Sequence, residues 1–323
     1  MTEQQDNLTT NTSRQDVGWE REVIEKIALA AITEQRRARR WNIFFKALMF
    51  TYLFVIFAVA MAPRFEASMS DSDKHTAVIN IAGIILEDSE ANAKSIIKGM
   101  RNAVKDEGTQ GIILHLNTPG GSPVQSAYIY EEILQIKKEN PDLPIYAVVS
   151  DICASGGYYI ASAADKIYVN QASIIGSIGV IMDGYGFVEI LKKLGIERRL
   201  MTAGKNKALL DPFSPVNEQE KQHIQVLLAQ VHKQFIDAVK HGRGDRLKDN
   251  GNLFSGLIWT GAESIKLGLV DAIGNDDYVA KEIIGAEKLV NFTPREHIFD
   301  RLVGRMGASF GQKITSFFQM QLR

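Results

Sequence analysis

The chain has 323 residues, 45% hydrophobic and 23% charged, with a formal net charge of -1, which is enough for one sizeable core with small appendages. Near-neutral charge gives no electrostatic case for a nucleic-acid partner. The single cysteine, Cys153, excludes an internal disulfide framework and a multi-cysteine metal site, and leaves the compartment open.

Residues 1–20 are polar and expected to be loose. Arg21 to Arg40 predicts a helix, with Val23, Ile24, Ile27 and Ala31 at helical spacing. Ala47 to Ala62 carries no charge, and the apolar stretch reaches back to Trp41 with Lys46 as its one interruption. That run of about 20 residues suffices to cross a bilayer, and Lys46 lies near one end, where its stem carries the ammonium to the interface. Arg36, Arg37, Arg39 and Arg40 crowd the N-terminal side, so that side is expected to stay cytoplasmic and the residues after about 64 to lie on the outer face. Some 40 residues precede the span, too many for the n-region of a cleaved signal peptide, although "AVAMAP" has the look of a cleavage site. The expected organisation is a cytoplasmic segment (1–40), an anchor (41–63), a linker (64–75), a globular domain (76–290) and a helical tail (291–323), with Leu302, Val303, Met306 and Phe310 on one stripe.

From "TAVINIAGII" onward, β-branched runs alternate with helical stretches. Strands are predicted at Gly111–Leu116, in "PIYAVVS" and in "KIYVN"; helices are predicted at Asn92–Lys105, Val124–Lys138, Gly156–Ala164 and through "HIQVLLAQVHKQFIDAVKHGR". Short apolar strands separated by helices imply parallel βαβ units, an α/β fold with helices covering the sheet.

Two glycine turns stand out. In "DICASGGYYIASAAD", Ser155 falls between a strand and a short helix, and Gly156 and Gly157 leave backbone amides uncovered at a helix start, where an anion is favoured. Acyl transfer needs this arrangement: a hydroxyl that attacks a carbonyl and N–H groups that hold the oxygen as it becomes negative. A serine that merely caps the helix gives the same local sequence. The second turn, "LNTPGGSPVQS", ends the preceding strand, so both loops lie at the carboxyl edge of a parallel sheet, the usual ligand crevice. Gly120 and Gly121 therefore offer a second amide opposite Ser155; an ordinary Pro-Gly turn is the plainer reading.

The base is less local. Histidines occur at 75, 115, 223, 232, 241 and 297, none in an obvious loop, and His115 lies inside a strand. A lysine also serves in hydrolases, and "TAGKNKALLDPFSP" offers Lys205 and Lys207 in a Gly- and Pro-bounded loop. Such an amine has to be brought down by about 3 pH units, roughly 4 kcal/mol, to act near neutrality, which burial in an apolar pocket achieves. Cys153, two residues before Ser155, reads as a buried inert thiol because nothing beside it would stabilise a thiolate.

"LNTPGG", "ASGGYYIASAAD", "IIGSIGV" and "GKNKALLDPF", in this order and spacing, closely resemble the signal peptide peptidase A family of membrane-anchored serine peptidases, and the likeness runs over roughly residues 76–280, including "WTGAESIKLGLVDAIG". The resemblance implies a ClpP/crotonase-like core and a Ser/Lys dyad. Its nucleophile falls on Ser155, its general base on Lys207 rather than Lys205, and a hydroxyl that orients the lysine on Ser177; its oxyanion hole falls on the amides of Gly121 and Gly156. It further implies hydrolysis of hydrophobic peptides such as cleaved signal peptides, with small or apolar side chains in the specificity pocket. It implies no cofactor and no metal. The setting it implies is the bacterial inner membrane, with the peptidase domain on the periplasmic side. Short members form homo-oligomeric rings, here an octamer, in which adjacent subunits complete each site. The competing readings are a crotonase-like acyl-CoA hydratase or thioesterase, and an inactive membrane scaffold on the same fold.

Overall fold

The computed structural model describes residues 6–66, 73–248 and 251–294. In chain order its elements are α1 (Asp6–Glu66), β1 (His75–Ala82), α2 (Ala93–Lys105), β2 (Thr109–Thr118), α3 (Pro123–Glu139), β3 (Ile145–Ala154), α4 (Gly156–Ala161), β4 (Lys166–Val169), β5 (Ile174–Gly176), α5 (Val188–Lys193), α6 (Glu218–Arg243), β6 (Ile258–Thr260), α7 (Gly261–Lys266), β7 (Ala272–Ile273), α8 (Asp276–Tyr278) and β8 (Leu289–Asn291). The chain divides into two compact units at Asp71/Ser72.

The first unit is α1, one continuous helix of 61 residues. Residues 6–20 are helical rather than loose, and no break separates the expected cytoplasmic helix from the expected span. The physical reason is composition: between Gly18 and Pro63 there is neither glycine nor proline, so nothing interrupts the hydrogen-bond ladder. Within Glu22–Phe57 the helix is long and apolar enough to cross a membrane, and none of its most apolar window is buried. Trp41 stacks on Phe45 there, and Phe44 meets both rings edge to face. The helix continues to Glu66, into the stretch expected to be linker. The predicted apolar stripe of the tail, Leu302 to Phe310, lies outside the described residues.

The second unit is built on an eight-stranded sheet in the order β6-β5-β3-β2-β1-β8, with β4 pairing both β3 and β7. Every pairing is parallel except β5 with β6. The mixed α/β architecture expected from the alternating pattern is therefore present. Period-two alternation sends Ile112, Leu114 and Leu116 of β2 into the large core, together with Ile96 of α2, Ile129 and Ile133 of α3 and Tyr158 of α4. Ile113, the residue between, joins Val78, Val148 and Tyr168 in a smaller core on the other face.

The feature that positions the site is a fork in β3. Its first half, Tyr146–Val149, pairs with β4, whereas Ile152–Ala154 pairs with β5. The change of partner at Ser150–Asp151 carries the end of β3 away from β4 and delivers Ser155 beside the end of β5.

Candidate active site

Ser155 follows β3 directly and precedes α4, with φ 52° and ψ −124°. A non-glycine residue in this region is strained, and the surroundings hold it there: Ser155 N–H donates to Gly176 O at 2.8 Å, and its carbonyl accepts from Tyr159 N–H at 2.9 Å. Its side chain makes no cap bond to α4, so the capping alternative raised by the sequence is not realised. The hydroxyl is left for other work.

The neighbouring turn closes on it. A Cβ on Gly120 would lie 2.7 Å from both Gly156 N and Ser155 Cβ, so only glycine lets the two turns pack together. A Cβ on Gly156 would overlap Ser126 Oγ and come within 3.3 Å of Gly121 N. The Gly121 and Gly156 amides thus line one small space. Gly156 opens α4, where first-turn amides have no helical acceptor, and Gly121 N–H has no backbone acceptor among the described residues. The Gly120–Gly121 turn is fixed from outside, since Ile85 N–H donates to Gly120 O and Ser122 N–H to Ile85 O, at 2.9 and 2.8 Å.

Ser177 is brought to the same place. Ala154 pairs with Gly176 across β3 and β5, so Ser155 and Ser177 are the next residues along each strand. Ser177 also has positive φ, 54°, and its N–H donates to Leu257 O at 2.7 Å.

Ser155, Gly121 and Gly156 open onto a pocket of about 310 Å³. One wall is a face of α3 (Val124, Ala127, Tyr128 and Glu131), the opposite wall is Val231, Gln234 and Phe235 of α6, and Tyr159 contributes from α4. Tyr159 packs against Tyr130 and Phe235. These wall residues were not singled out in the sequence. On α3 their i, i+3, i+4, i+7 spacing is visible there, but nothing in the sequence says that α6 faces them.

The base candidates fall elsewhere. Lys205 and Lys207 are exposed in the turn that follows Gly204, and neither lines the Ser155 pocket. That turn belongs to an arm running from about residue 181 to 217, on which Ile181, Tyr185 and Met201 are 85%, 79% and 92% exposed. The arm packs on itself through Phe187 against Phe213 and an Arg198–Asp211 ion pair. The single chain therefore brings Ser155, Ser177, Gly121 and Gly156 together and does not bring Lys207 to them.

No histidine takes its place among the described residues. His115 alternates onto the other face of the sheet, bonded through Nδ1 to Asp276 at 2.7 Å; that bond holds its imidazolium above the usual histidine range, against burial. It lines a separate cavity of about 760 Å³ with Asp151, Asn170 and Asn275. The Nε2 of His232 is 3.0 Å from Ile178 O, a contact only the N–H form makes with a carbonyl. His223 and His241 are exposed on α6, His75 is buried beside Thr109, and His297 lies outside the described residues. Cys153 is fully buried, and burial pushes its thiol well up, which matches the inert reading. The described residues hold no cluster of three or more metal-ligating side chains.

The sequence profile of peptidase family S49 matches residues 137–290. A putative signal peptide peptidase SppA from Enterococcus faecium is 30% identical over 254 residues, which are 76% of this chain and 73% of that protein. A putative protease from Methanocaldococcus jannaschii is 30% identical over 212 residues, 66% of each chain. A Brucella abortus protein named Na(+)/H(+) antiporter NhaA is 39% identical over 213 residues, 66% of this chain, and the chain spans 29% of its length.

Proposed function

The chain belongs to peptidase family S49, and from that premise we propose that it is a membrane-anchored serine endopeptidase that hydrolyses hydrophobic peptides, such as cleaved signal peptides, through a Ser155/Lys207 dyad. The observation that carries the reading is the strained, uncapped Ser155 set beside the Gly121 and Gly156 amides at the mouth of a mainly apolar pocket.

In the proposed reaction Lys207, with its amine uncharged, accepts the Ser155 hydroxyl proton as Oγ bonds to the peptide carbonyl carbon. The carbonyl oxygen becomes negative and accepts hydrogen bonds from the Gly121 and Gly156 amides. Collapse of this adduct breaks the C–N bond, and Lys207 returns the proton to the leaving amine. Water then enters by the same route: the lysine takes its proton, the hydroxyl attacks the ester, and Ser155 leaves as the alcohol. Ser177 is assigned to orient the lysine amine.

Because Lys207 lies on the exposed arm, we assign it to the site of an adjacent subunit in a homo-oligomeric ring of eight. Burial between subunits supplies the dry surroundings an uncharged amine needs. The apolar helix within Glu22–Phe57 supports membrane association. The finer assignment puts residues 1–40 in the cytoplasm, 41–63 in the bacterial inner membrane and the peptidase domain, 76–290, on the periplasmic side, by the arginines before the span.

The test compares wild type, Ser155→Ala and Lys207→Ala on an apolar peptide. Each substitution is expected to lower kcat at least about 1,000-fold, as single members of a nucleophile–base unit do. Equal cleavage by all three removes the dyad. A stable acyl-CoA complex in native mass spectrometry favours the crotonase-like alternative instead.

A further inference from the structure

The Ser155 pocket has one feature that a purely apolar specificity site lacks. α3 presents Val124, Ala127, Tyr128 and Glu131 to it, four positions on one helical face. Val124 is near the mouth, since α3 begins two residues after the oxyanion-site Gly121. Glu131 stands about 10 Å further along the helix axis, at 1.5 Å per residue. Of the residues lining the pocket, Glu131 is the one that carries a formal charge at neutral pH.

Its neighbours along α3 differ from it. Glu132 and Glu139 are both engaged by Arg101, whereas Glu131 has neither an ion pair nor a side-chain hydrogen bond among the described residues. Its carboxylate nonetheless acts on the pocket wall: burial first, and then the Glu131 charge, push the Tyr159 phenol up. Aliphatic and aromatic walls with one unpaired carboxylate at the far end match a long apolar stem that ends in a cation.

Resting on the serine-peptidase reading above, we propose that this pocket holds the substrate side chain on the acyl side of the scissile bond and that Glu131 selects lysine or arginine there. A lysine stem lies along Val124, Ala127 and Phe235 while its ammonium meets the carboxylate. Glu131 is a specificity residue and touches no reacting atom. Cleaved signal peptides carry such residues in their basic n-region, so cuts are placed there in addition to any within the apolar stretch.

The test uses the full-length protein in detergent and fluorogenic peptides identical except at that one residue: lysine, arginine, norleucine or glutamate. Norleucine keeps the straight stem and lacks the charge. Wild type is expected to favour lysine over norleucine in kcat/KM by about fivefold or more, with the ratio falling as salt is added because Glu131 is exposed in the single chain. Glu131→Gln is expected to bring the ratio to about one or below, and Glu131→Lys to move preference toward glutamate. A wild type that prefers norleucine, or a ratio untouched by Glu131→Gln, overturns the assignment while leaving the peptidase intact. Absence of any cleavage that depends on Ser155 overturns the peptidase reading, and this assignment with it.

Discussion

Ser155 and Ser177 share an unusual backbone conformation, φ 52° and 54°, on adjacent strands, and each is held by a backbone bond to a neighbouring segment. Strain of this kind costs on the order of 1–3 kcal/mol per residue, and it persists here because those bonds hold both backbones in place. The glycines opposite are equally constrained: a Cβ on Gly121, itself at φ 153°, would overlap the Ile85 carbonyl oxygen. Gly121→Ala is therefore expected to lower unfolding stability by about 2 kcal/mol or more, since the obstruction is backbone rather than a movable side chain; urea denaturation checks this, and an unchanged midpoint contradicts the packing described.

A second residue-scale prediction concerns pH. Buried Arg243, 1% exposed, makes two hydrogen bonds to Asp271 at 2.7 and 3.1 Å. Burial alone would raise the Asp271 carboxyl, but Arg243 and the Ile167 amide outweigh it and hold it below the usual range. A carboxylate depressed in the folded state contributes stability that is present above its unfolded value, and that contribution is lost as pH falls through the folded one. Arg243→Met leaves the Asp271 carboxylate with only Arg246 and the Ile167 amide and is expected to cost about 2–4 kcal/mol near neutrality, less than a fully stranded charge. The gap to wild type should narrow progressively in acid; a gap independent of pH contradicts the pair's role.

Among the elements, α6 illustrates what the sequence carries and what it does not. Its periodicity marks it as amphipathic, yet its buried positions are Phe235, Ala238, Val239 and Arg243, all in the C-terminal half. Val226 and Leu227, in the N-terminal half, remain 56% and 42% exposed. The Arg243–Asp271 pair ties that half to the segment before β7, a pairing across 28 residues that no local pattern announces. The strands β1 to β4 were legible because each is a stretch of four or more residues rich in Val and Ile. β5 to β8 are two or three residues long, too short for any period, and exist because neighbouring strands supply their partners. The two glycine turns were legible as neighbours of one crevice because each ends a strand of a parallel sheet, and they do pack together beside Ser155. The pocket walls were not, because they depend on which helices face one another.

The long apolar helix α1 bears its own prediction. The second unit has a large buried core built from its own residues, Ala77 to Val270. A chain lacking residues 1–71 is expected to leave the membrane fraction for the soluble one, with a thermal midpoint near that of the full chain in detergent. Aggregation or a collapsed midpoint would mean that α1 is part of the folding unit.

At the scale of the whole molecule, the central feature is separation. Ser155, the Gly121 and Gly156 amides proposed to act with it and their pocket form one cluster, whereas Lys207, the proposed base, stands on an arm that exposes Tyr185 and Met201 to solvent. Exposed apolar residues of this kind suit a surface that meets another molecule, and the proposed ring would let one subunit's arm complete the next subunit's site. The most direct test mixes Ser155→Ala and Lys207→Ala subunits under conditions of exchange. Each alone should be inactive; co-assembled in equal amounts, random placement restores about a quarter of the sites, each with serine from one subunit and lysine from its neighbour. A Lys207→Ala protein that cleaves unaided, or mixed rings that assemble and stay silent, contradicts the account.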